Sequence, residues 1–391
     1  MIIFQTHQVS KNESLFRADM RRKLKITGPY KGITGYDNHT RYIVKALYKA
    51  GLEVGLTDLP EWSPAKLPLL LQDQWFEQLQ RSIDADTHLF FSMPHQVQSK
   101  KGERIINYTM FEANRIPALW VRHSEEHDLI IVPANFCKQA WIDSGVPEEK
   151  LIVCPLGVDS KLFNPDVEPH LLYAPDGRSV SNFKTRFLNI SEASDRKNII
   201  GLLRAWLTVT SAKDDALLIL KPGFYTQSTK ENFRENLMRL EKFIGKSFNQ
   251  AAPILYIGQI FSSIDMPRLY TSATHYISTS YGEGFDLPML EAGVSGLQLI
   301  APRHSAYLDY LHDNIAHLIS TKPVEAKLPG DPATGEFFAG AHWWEPDYDE
   351  LCEIIRLIID GKAEKLSAKN ELSELTWTRT AEHLEKIIFS N

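Results

Sequence analysis

Short apolar runs alternate with longer amphipathic segments almost from one end of the chain to the other. An uninterrupted apolar run suits a strand buried on both faces, and apolar residues recurring every three or four positions suit a helix packed on one face. In the first half the strand candidates are Ile2–Phe4, Glu53–Leu56, His88–Phe91, Ile105–Tyr108, Leu129–Val132 and Leu151–Cys154, with helices over Gly35–Ala50 and Asn135–Ser144. In the second half strands are predicted at Phe187–Ile190, Ala216–Leu220, Ile254–Ile257, His275–Ser278, Leu297–Ala301 and Ala316–Ile319. Helices fall between them near Asn198–Thr210, Lys230–Lys246, Met266–Ser272 and Leu287–Val294, and two more, Tyr348–Asp360 and Ser373–Phe389, follow. The alternation predicts the α/β class, with doubly wound parallel sheets covered by helices.

The stretch Asn164–Ser181 breaks this pattern, being rich in Pro, Asp, Gly and Ser and without periodicity. It predicts two Rossmann-like units, 1–170 and 171–372, facing each other across a cleft. Ligands of open α/β sheets bind beyond the carboxyl ends of the strands, so that cleft is the expected site. A second aperiodic stretch, Pro323–Ala341, reads as a long loop.

Composition narrows the picture further. With 43% hydrophobic and 24% charged residues the chain is an ordinary globular one, and its 19 Phe, 14 Tyr and 8 Trp exclude wholesale disorder. No apolar run reaches the roughly 18 residues of a membrane-spanning helix, and the first residues lack the basic-then-apolar order of a secretory leader. Cys137, Cys154 and Cys352 are scattered, which suits reduced thiols in the cytoplasm and no disulfide framework. A net charge of −6 argues against nucleic acid as a partner. The basic run of Arg17, Arg21, Arg22, Lys23 and Lys25 stands apart. It reads as a solvated face or as a peripheral contact with anionic lipid or a polyanionic acceptor at the inner face of a membrane.

Two stretches carry candidate chemistry. In His275–Arg303 (HYISTSYGEGFDLPMLEAGVSGLQLIAPR) an apolar run gives way to a glycine-bearing turn and then to a helix with Pro288 in its first turn. The first-turn amides make an anion site. Glu283 lies in the turn and Glu291 two helical turns on, where a carboxylate can take the paired hydroxyls of a ribose or sugar; an ordinary exposed pair on a helix is the equal alternative. In Ser191–Trp206 (SEASDRKNIIGLLRAW) Arg196 and Lys197 fall between a strand end and a helix start, with Asp195 as candidate cap. A guanidinium beside an ammonium suits a diphosphate, although basic pairs at helix starts are often merely solvated. The loop GPYKGITGYDNHTR, 28–41, offers Gly32 and Gly35 for close backbone approach to a ligand but fits no dinucleotide or phosphate fingerprint.

Together these stretches resemble the retaining glycosyltransferases of family four, whose GT-B architecture has two facing Rossmann-like domains. Glu283 through Glu291 matches the family's E-x7-E signature, IVCPLGVDSKLFNP resembles its interdomain segment, and Arg196 and Lys197 stand where its phosphate-binding pair lies. GITGYDNHTRYIVKALYKAGLEV resembles its first loop and helix, and TWTRTAEHLEKI its C-terminal helix.

The resemblance implies a nucleotide-sugar donor held by the second domain. Arg196 and Lys197 would neutralise the leaving diphosphate and Glu283 would meet the donor sugar. Glu291 would bind the ribose, amides around Gly284, Phe285, Asp286 and Leu287 would hold phosphate or sugar, and the backbone near Ile260 would meet the base. A glycan, a lipid-linked or another hydroxyl acceptor would enter near Gly35, with Glu112 or His95 as the first-domain catalytic candidate. The C-terminal helix 373–389 would return to the first domain. Asp286 replaces the family's usual glycine and puts an extra carboxylate near the sugar. Asp84-Ala85-Asp86 matches a metal motif of another glycosyltransferase architecture but only precedes a strand, so no obligatory metal is expected. The alternative is an accessory subunit of the same fold that binds nucleotide sugar without transferring it.

Overall fold

The computed structural model describes residues 22–59, 62, 65–224, 226–328 and 335–389. The predicted strand Ile2–Phe4 and basic residues Arg17 and Arg21 lie outside these. The first sheet runs β1 (Lys23–Gly28), β2 (Glu53–Asp58), β3 (Thr87–Phe91), β4 (Arg104–Tyr108), β5 (Leu129–Val132) and β6 (Leu151–Val153), in the order β2-β1-β3-β4-β5-β6 with every pairing parallel. Its helices are α1 (Gly35–Lys49), α2 (Ala118–Ser124) and α3 (Asn135–Asp143).

Strand β1, absent from the predicted strands, takes in the end of the basic run. Lys23 and Lys25 alternate with the buried Leu24 and Ile26, the period-two signature of a strand, and Lys25 Nζ lies 2.8 Å from Glu103. Arg22 pairs with Glu385 at 2.8 Å and lies over the Phe389 ring. Arg22 and Lys25 are thus tied to the fold, while Lys23 is exposed.

The second sheet is built from β7 (Thr185–Glu192), α4 (Ile199–Val209), β8 (Ala216–Gly223), α5 (Gln227–Ile244), β9 (Ile254–Tyr256), α6 (Met266–Thr271), β10 (His275–Ile277), α7 (Leu287–Val294), β11 (Gln298–Pro302) and β12 (Ala316–Ile319). Its order, β12-β11-β10-β7-β8-β9, is parallel throughout and reverses direction between β7 and β10. Such a reversal opens a crevice at the carboxyl ends of the two strands.

The stretch expected as a long loop, Pro323–Ala341, lies between the strands of an antiparallel hairpin and overlaps only the end of the first: β13 (Thr321–Glu325) pairs with β14 (His342–Pro346) from Thr321 opposite Pro346 to Glu325 opposite His342. Its aromatic residues reach the first domain. Phe338 stacks on Phe111 at 4.8 Å and 19°, Phe111 meets Trp120 edge-on at 5.0 Å, and Trp343 abuts Phe338 at 4.9 Å. Asn114 and His342 exchange hydrogen bonds across the same seam. Each aromatic side chain buried there contributes about 1.5–3 kcal/mol, so the hairpin fastens one domain to the other.

After α8 (Tyr348–Ile359) and the short α9 (Lys369–Leu372), α10 (Trp377–Phe389) packs along α1, with Trp377 parallel to Tyr42 at 5.2 Å. Val158 N–H donates to Leu375 O at 2.8 Å, and Thr380 Oγ1 donates to Pro155 O at 3.0 Å. No helix among the described residues is long and apolar enough to cross a membrane.

The approach of 155–158 to α10 is so close that a methyl group at Gly157 would lie 2.3 Å from Trp377 N and 2.4 Å from Thr376 C. Backbone cannot yield as a flexible side chain does. Gly157→Ala is therefore expected to cost about 1–3 kcal/mol or more. The check is the urea midpoint, with proteolysis of the 362–376 segment as a second readout; an unchanged midpoint would show that α10 is not seated on this turn.

Candidate functional site

A cleft of about 1460 Å3 lies between the two sheets, floored by the turns that leave β7 and β10. Arg196 and Lys197 sit on a single 3-10 turn, Asp195–Lys197, directly after β7. The helix that follows is capped by Asn198 and not, as expected from the sequence, by Asp195. Asn198 adopts the left-handed conformation (φ 50°), its side-chain oxygen accepts from Gly201 N at 3.1 Å, and its amide donates to Thr279 O. Asparagine tolerates this backbone and has the short polar side chain a cap needs.

The turn after β10 brings Glu283 against both cations. Lys197 Nζ lies 2.6 Å from Glu283 Oε1, and Arg196 Nη1 lies 3.3 Å from Oε2 while donating to Gly282 O at 2.6 Å. Glu112, from the loop after β4 in the first domain, completes the arrangement 3.7 Å from Arg196 Nη2. Burial alone would raise the Glu283 carboxyl, but Lys197 and Arg196 hold it well below the usual carboxylate range. Burial likewise disfavours the Arg196 charge, and Glu112, Glu283 and Glu192 more than offset it. The cluster is a guanidinium and an ammonium whose anionic partner is the protein's own Glu283.

Several residues far away in sequence hold this turn. His304 Nε2 donates to Ser280 O at 2.8 Å, which leaves Nδ1 to accept from Ser305 Oγ at 2.7 Å; that hydroxyl accepts Glu283 N–H at 3.1 Å. Burial lowers His304 to about 4, so the ring is neutral and keeps this pattern at physiological pH. A methyl group at Gly282 would lie 2.2 Å from Glu112 O, and one at Gly284 3.0 Å from Met110 Cβ. Both glycines therefore serve to seat the turn on the first domain.

Asp286 has φ 70°, a conformation that favours glycine and costs other residues about 1–3 kcal/mol. Its carboxylate turns toward Tyr307, whose hydroxyl lies 2.7 Å from both Asp286 Oδ2 and Ser278 Oγ. A hydroxyl has one proton and a carboxylate only accepts, so Tyr307 donates to Asp286 and Ser278 donates to Tyr307. Burial first, then the charge of Glu283, raises the Asp286 carboxyl.

Glu291 faces the cleft from the second turn of α7 and accepts from Tyr270 Oη at 2.6 Å. Burial pushes its carboxyl up to about 8, against the lowering effect of that hydrogen bond. At neutral pH it is mostly protonated, which differs from the carboxylate expected from the sequence.

Of the remaining sequence candidates, Gly35, Glu112, Ile260, Gly284, Phe285 and Leu287 all line the cleft. Gly35 has no atom within 4 Å of the position a Cβ would take, so its backbone is open to a ligand. His95 does not line the cleft. The chain turns after β3 so that Met93 and Gln96 face the opening, while the His95 ring stacks on Phe337 at 5.7 Å and 18° and lies 6.5 Å from His123. Between His95 and Glu112, the geometry brings only Glu112 to the charged cluster. Tyr270, His304, Ser305 and Tyr307 were not recognisable from the sequence, because no motif links them to the turn they hold.

No protein-family model matches the chain, and no curated protein matches its sequence. Solved structures do match it in shape. HepE of Anabaena, solved in complex with UDP and glucose, gives a TM-score of 0.63 at 13% identity over 95% of this chain and 100% of that one. Sucrose-phosphate synthase from Thermosynechococcus elongatus gives 0.64 at 16% identity over 94% and 98% of the two chains. A glycosyltransferase from Rickettsia africae gives 0.61 at 15% over 95% and 99%. Likeness at this identity speaks for the fold, and with its two facing six-stranded parallel sheets this chain has the GT-B architecture.

Proposed function

We propose that the protein is a retaining glycosyltransferase of the E-x7-E type. It moves a sugar from a nucleotide donor to a hydroxyl of a glycan, lipid-linked or related acceptor in polysaccharide or glycoconjugate synthesis. The observation that carries the reading is the meeting of Arg196, Lys197 and Glu283 at the strand-order reversal, with Glu291 eight residues beyond. It is supported by the shared fold with HepE, which was solved with UDP-glucose, and with sucrose-phosphate synthase. In this reading residues 1–170 and the helix 373–389 form the acceptor-side domain and 171–372 the donor domain.

In the unliganded protein Glu283 occupies the place of an anion between the two cations. A nucleoside diphosphate would take over both, because two phosphates offer more charge and more acceptor oxygens than one carboxylate. Released from the cations, Glu283 is left beside the bond to be broken, where it meets the donor sugar. Phe285, Asp286 and Leu287, where the chain enters α7, line the same cleft, and their amides would hold a phosphate or a sugar hydroxyl. As the glycosidic bond breaks, charge grows on the departing phosphate next to Arg196 and Lys197, which are already in place. Preorganised charge of this kind stabilises the transition state most. The arrangement places the two cations at the leaving group, while Asp286 is tied to Tyr307. It suits front-face attack, in which the leaving phosphate accepts the acceptor's proton. The two cations meet the leaving group's charge, so no obligatory metal enters the reading.

Lys197→Ala is expected to lower turnover by about 10²–10³ while weakening nucleoside-diphosphate binding far less, because the charge it meets is largest in the transition state. Steady-state kinetics with a panel of nucleotide sugars, beside calorimetry with UDP, separates the two effects. Equal losses in turnover and binding would remove Lys197 from the leaving-group role, and binding without any turnover would favour the accessory subunit.

Glu291 makes donor binding depend on pH. Its carboxyl is protonated below about 8 in the free protein, and ribose hydroxyls donate to the ionised form. Binding therefore favours proton release, and affinity for UDP should rise by up to tenfold per pH unit toward pH 8, then level off. Calorimetry in buffers of different ionisation enthalpy measures the released proton directly. In Glu291→Gln the pH dependence should vanish and affinity fall by about ten- to a hundredfold. A pH-independent wild type would remove Glu291 from the ribose site.

A further inference from the structure

Helix α3, in the first domain, begins without a cap of its own. Its N-cap position is Ala134, whose backbone is extended (φ −145°, ψ 151°) but whose side chain has no oxygen to offer. Alanine is among the poorest residues at that position. The cap comes instead from the second domain. Asp309 Oδ1 accepts from Asn135 N at 3.0 Å and from Asn135 Nδ2 at 2.8 Å, and Oδ2 accepts from Phe136 N at 3.2 Å. Both carboxylate oxygens thus meet the first-turn amides, at the positive end of the helix dipole.

Asp309 ends the short turn Ser305–Asp309, and the same segment holds the turn 282–286. Ser305 accepts Glu283 N–H, Tyr307 donates to Asp286, and Tyr310 Oη donates to Phe285 O at 2.7 Å. The first turn of α3 makes two further contacts there. Cys137 Sγ lies 3.5 Å from Gly284 O and 3.6 Å from Phe111 O, beside Glu112. Phe136 meets Trp344 edge-on at 5.3 Å, and Trp344 stacks on His304 at 5.4 Å and 17°. One helical turn therefore touches the turn that carries Glu283, the residues that support it and the loop that carries Glu112.

We propose that Asp309 is a positioning residue whose borrowed cap keys the first domain onto the turn 282–286. A helix with its own cap would keep it when the domains part. Here parting leaves the first turn of α3 uncapped, so opening of this seam is penalised by the loss of the cap. Asp309 is exposed and water competes for its oxygens, so the effect is a few-fold one. Because one segment holds both Asp309 and the turn 282–286, the two are coupled. A ligand that steadies the turn tightens the seam by the factor with which the closed seam favours the ligand. The latch belongs to the fold and does not depend on what the cleft binds; only its ligand arm rests on the glycosyltransferase reading.

The test is alkylation of the native full chain by N-ethylmaleimide, read at each cysteine by mass spectrometry. Cys137 is fully buried where the two domains meet, so its labelling reports opening of the seam. Cys154, equally buried beneath α10, reports global unfolding, and the partly exposed Cys352 reports the reagent. Asp309→Ala is expected to raise the Cys137 rate at least about threefold and to leave Cys154 and Cys352 unchanged. Adding Ala134→Ser to that variant gives α3 a cap from its own chain segment, and the Cys137 rate should stay raised, because the new cap does not reach across the seam. Ala134→Ser alone should match the wild type. Saturating UDP should slow Cys137 labelling in the wild type and slow it less in Asp309→Ala. An unchanged Cys137 rate in Asp309→Ala, or its return to the wild-type rate in the double variant, would overturn the proposal, the second by showing that Asp309 only stabilises the helix. Equal slowing by UDP in both proteins would overturn the coupling. A wild type that binds no UDP by calorimetry would instead overturn the donor reading, and the ligand-free comparison would still decide the latch.

Discussion

The ion cluster of Arg196, Lys197 and Glu283 is the constraint around which the rest of the cleft is arranged. Glu283 is only 4% exposed, and its two cations are 13% and 15% exposed. Charges this deep are tolerated only when paired, and loss of one partner costs about 3–5 kcal/mol. The two turns that carry them must therefore meet with correct geometry, and the surrounding structure secures that. The reversal of strand order between β7 and β10 makes the turns neighbours. Asn198 fixes one and His304 with Ser305 fixes the other, while Gly282 lets Glu112 approach from the opposite domain. A site held this way is built before any ligand arrives.

The same geometry joins the domains. The loop after β4 touches the turn after β10, and beside it the hairpin packs Phe338 and Trp343 on Phe111 and Trp120. On the far side α10 returns from the second sheet to α1. Two separate seams thus flank the cleft and restrict how far the halves move apart.

Much of the fold could be read from periodicity, and two of the misses have plain physical reasons. Strand β1 was obscured because Lys23 and Lys25 belong to a basic run, although Leu24 and Ile26 alternate with them as a strand requires. The hairpin was obscured by Pro323 in its first strand and by the long connection, with no short turn to announce it. Within the site, Arg196, Lys197 and Glu283 stood out by their place between strand ends and helix starts and Glu291 by its position two helical turns on, with their roles implied by the family resemblance. Their electrostatic state was not legible. That Glu283 is ionised between cations and Glu291 mostly neutral depends on burial and on Tyr270, which only the folded chain brings near. His95 lies off the cleft, with Met93 and Gln96 facing it, because a strand end identifies a rim, and which side chain turns inward is decided by one further residue of backbone.

If Glu283 stands in for the diphosphate, removing its charge should help the diphosphate bind even as it harms the free protein. Calorimetric titration of Glu283→Gln with UDP tests this directly. The account predicts a lower melting temperature without ligand and an affinity for UDP higher than wild type by about tenfold, because the competing anion is gone. An affinity equal to or weaker than wild type would contradict the claim that these two cations receive the phosphates.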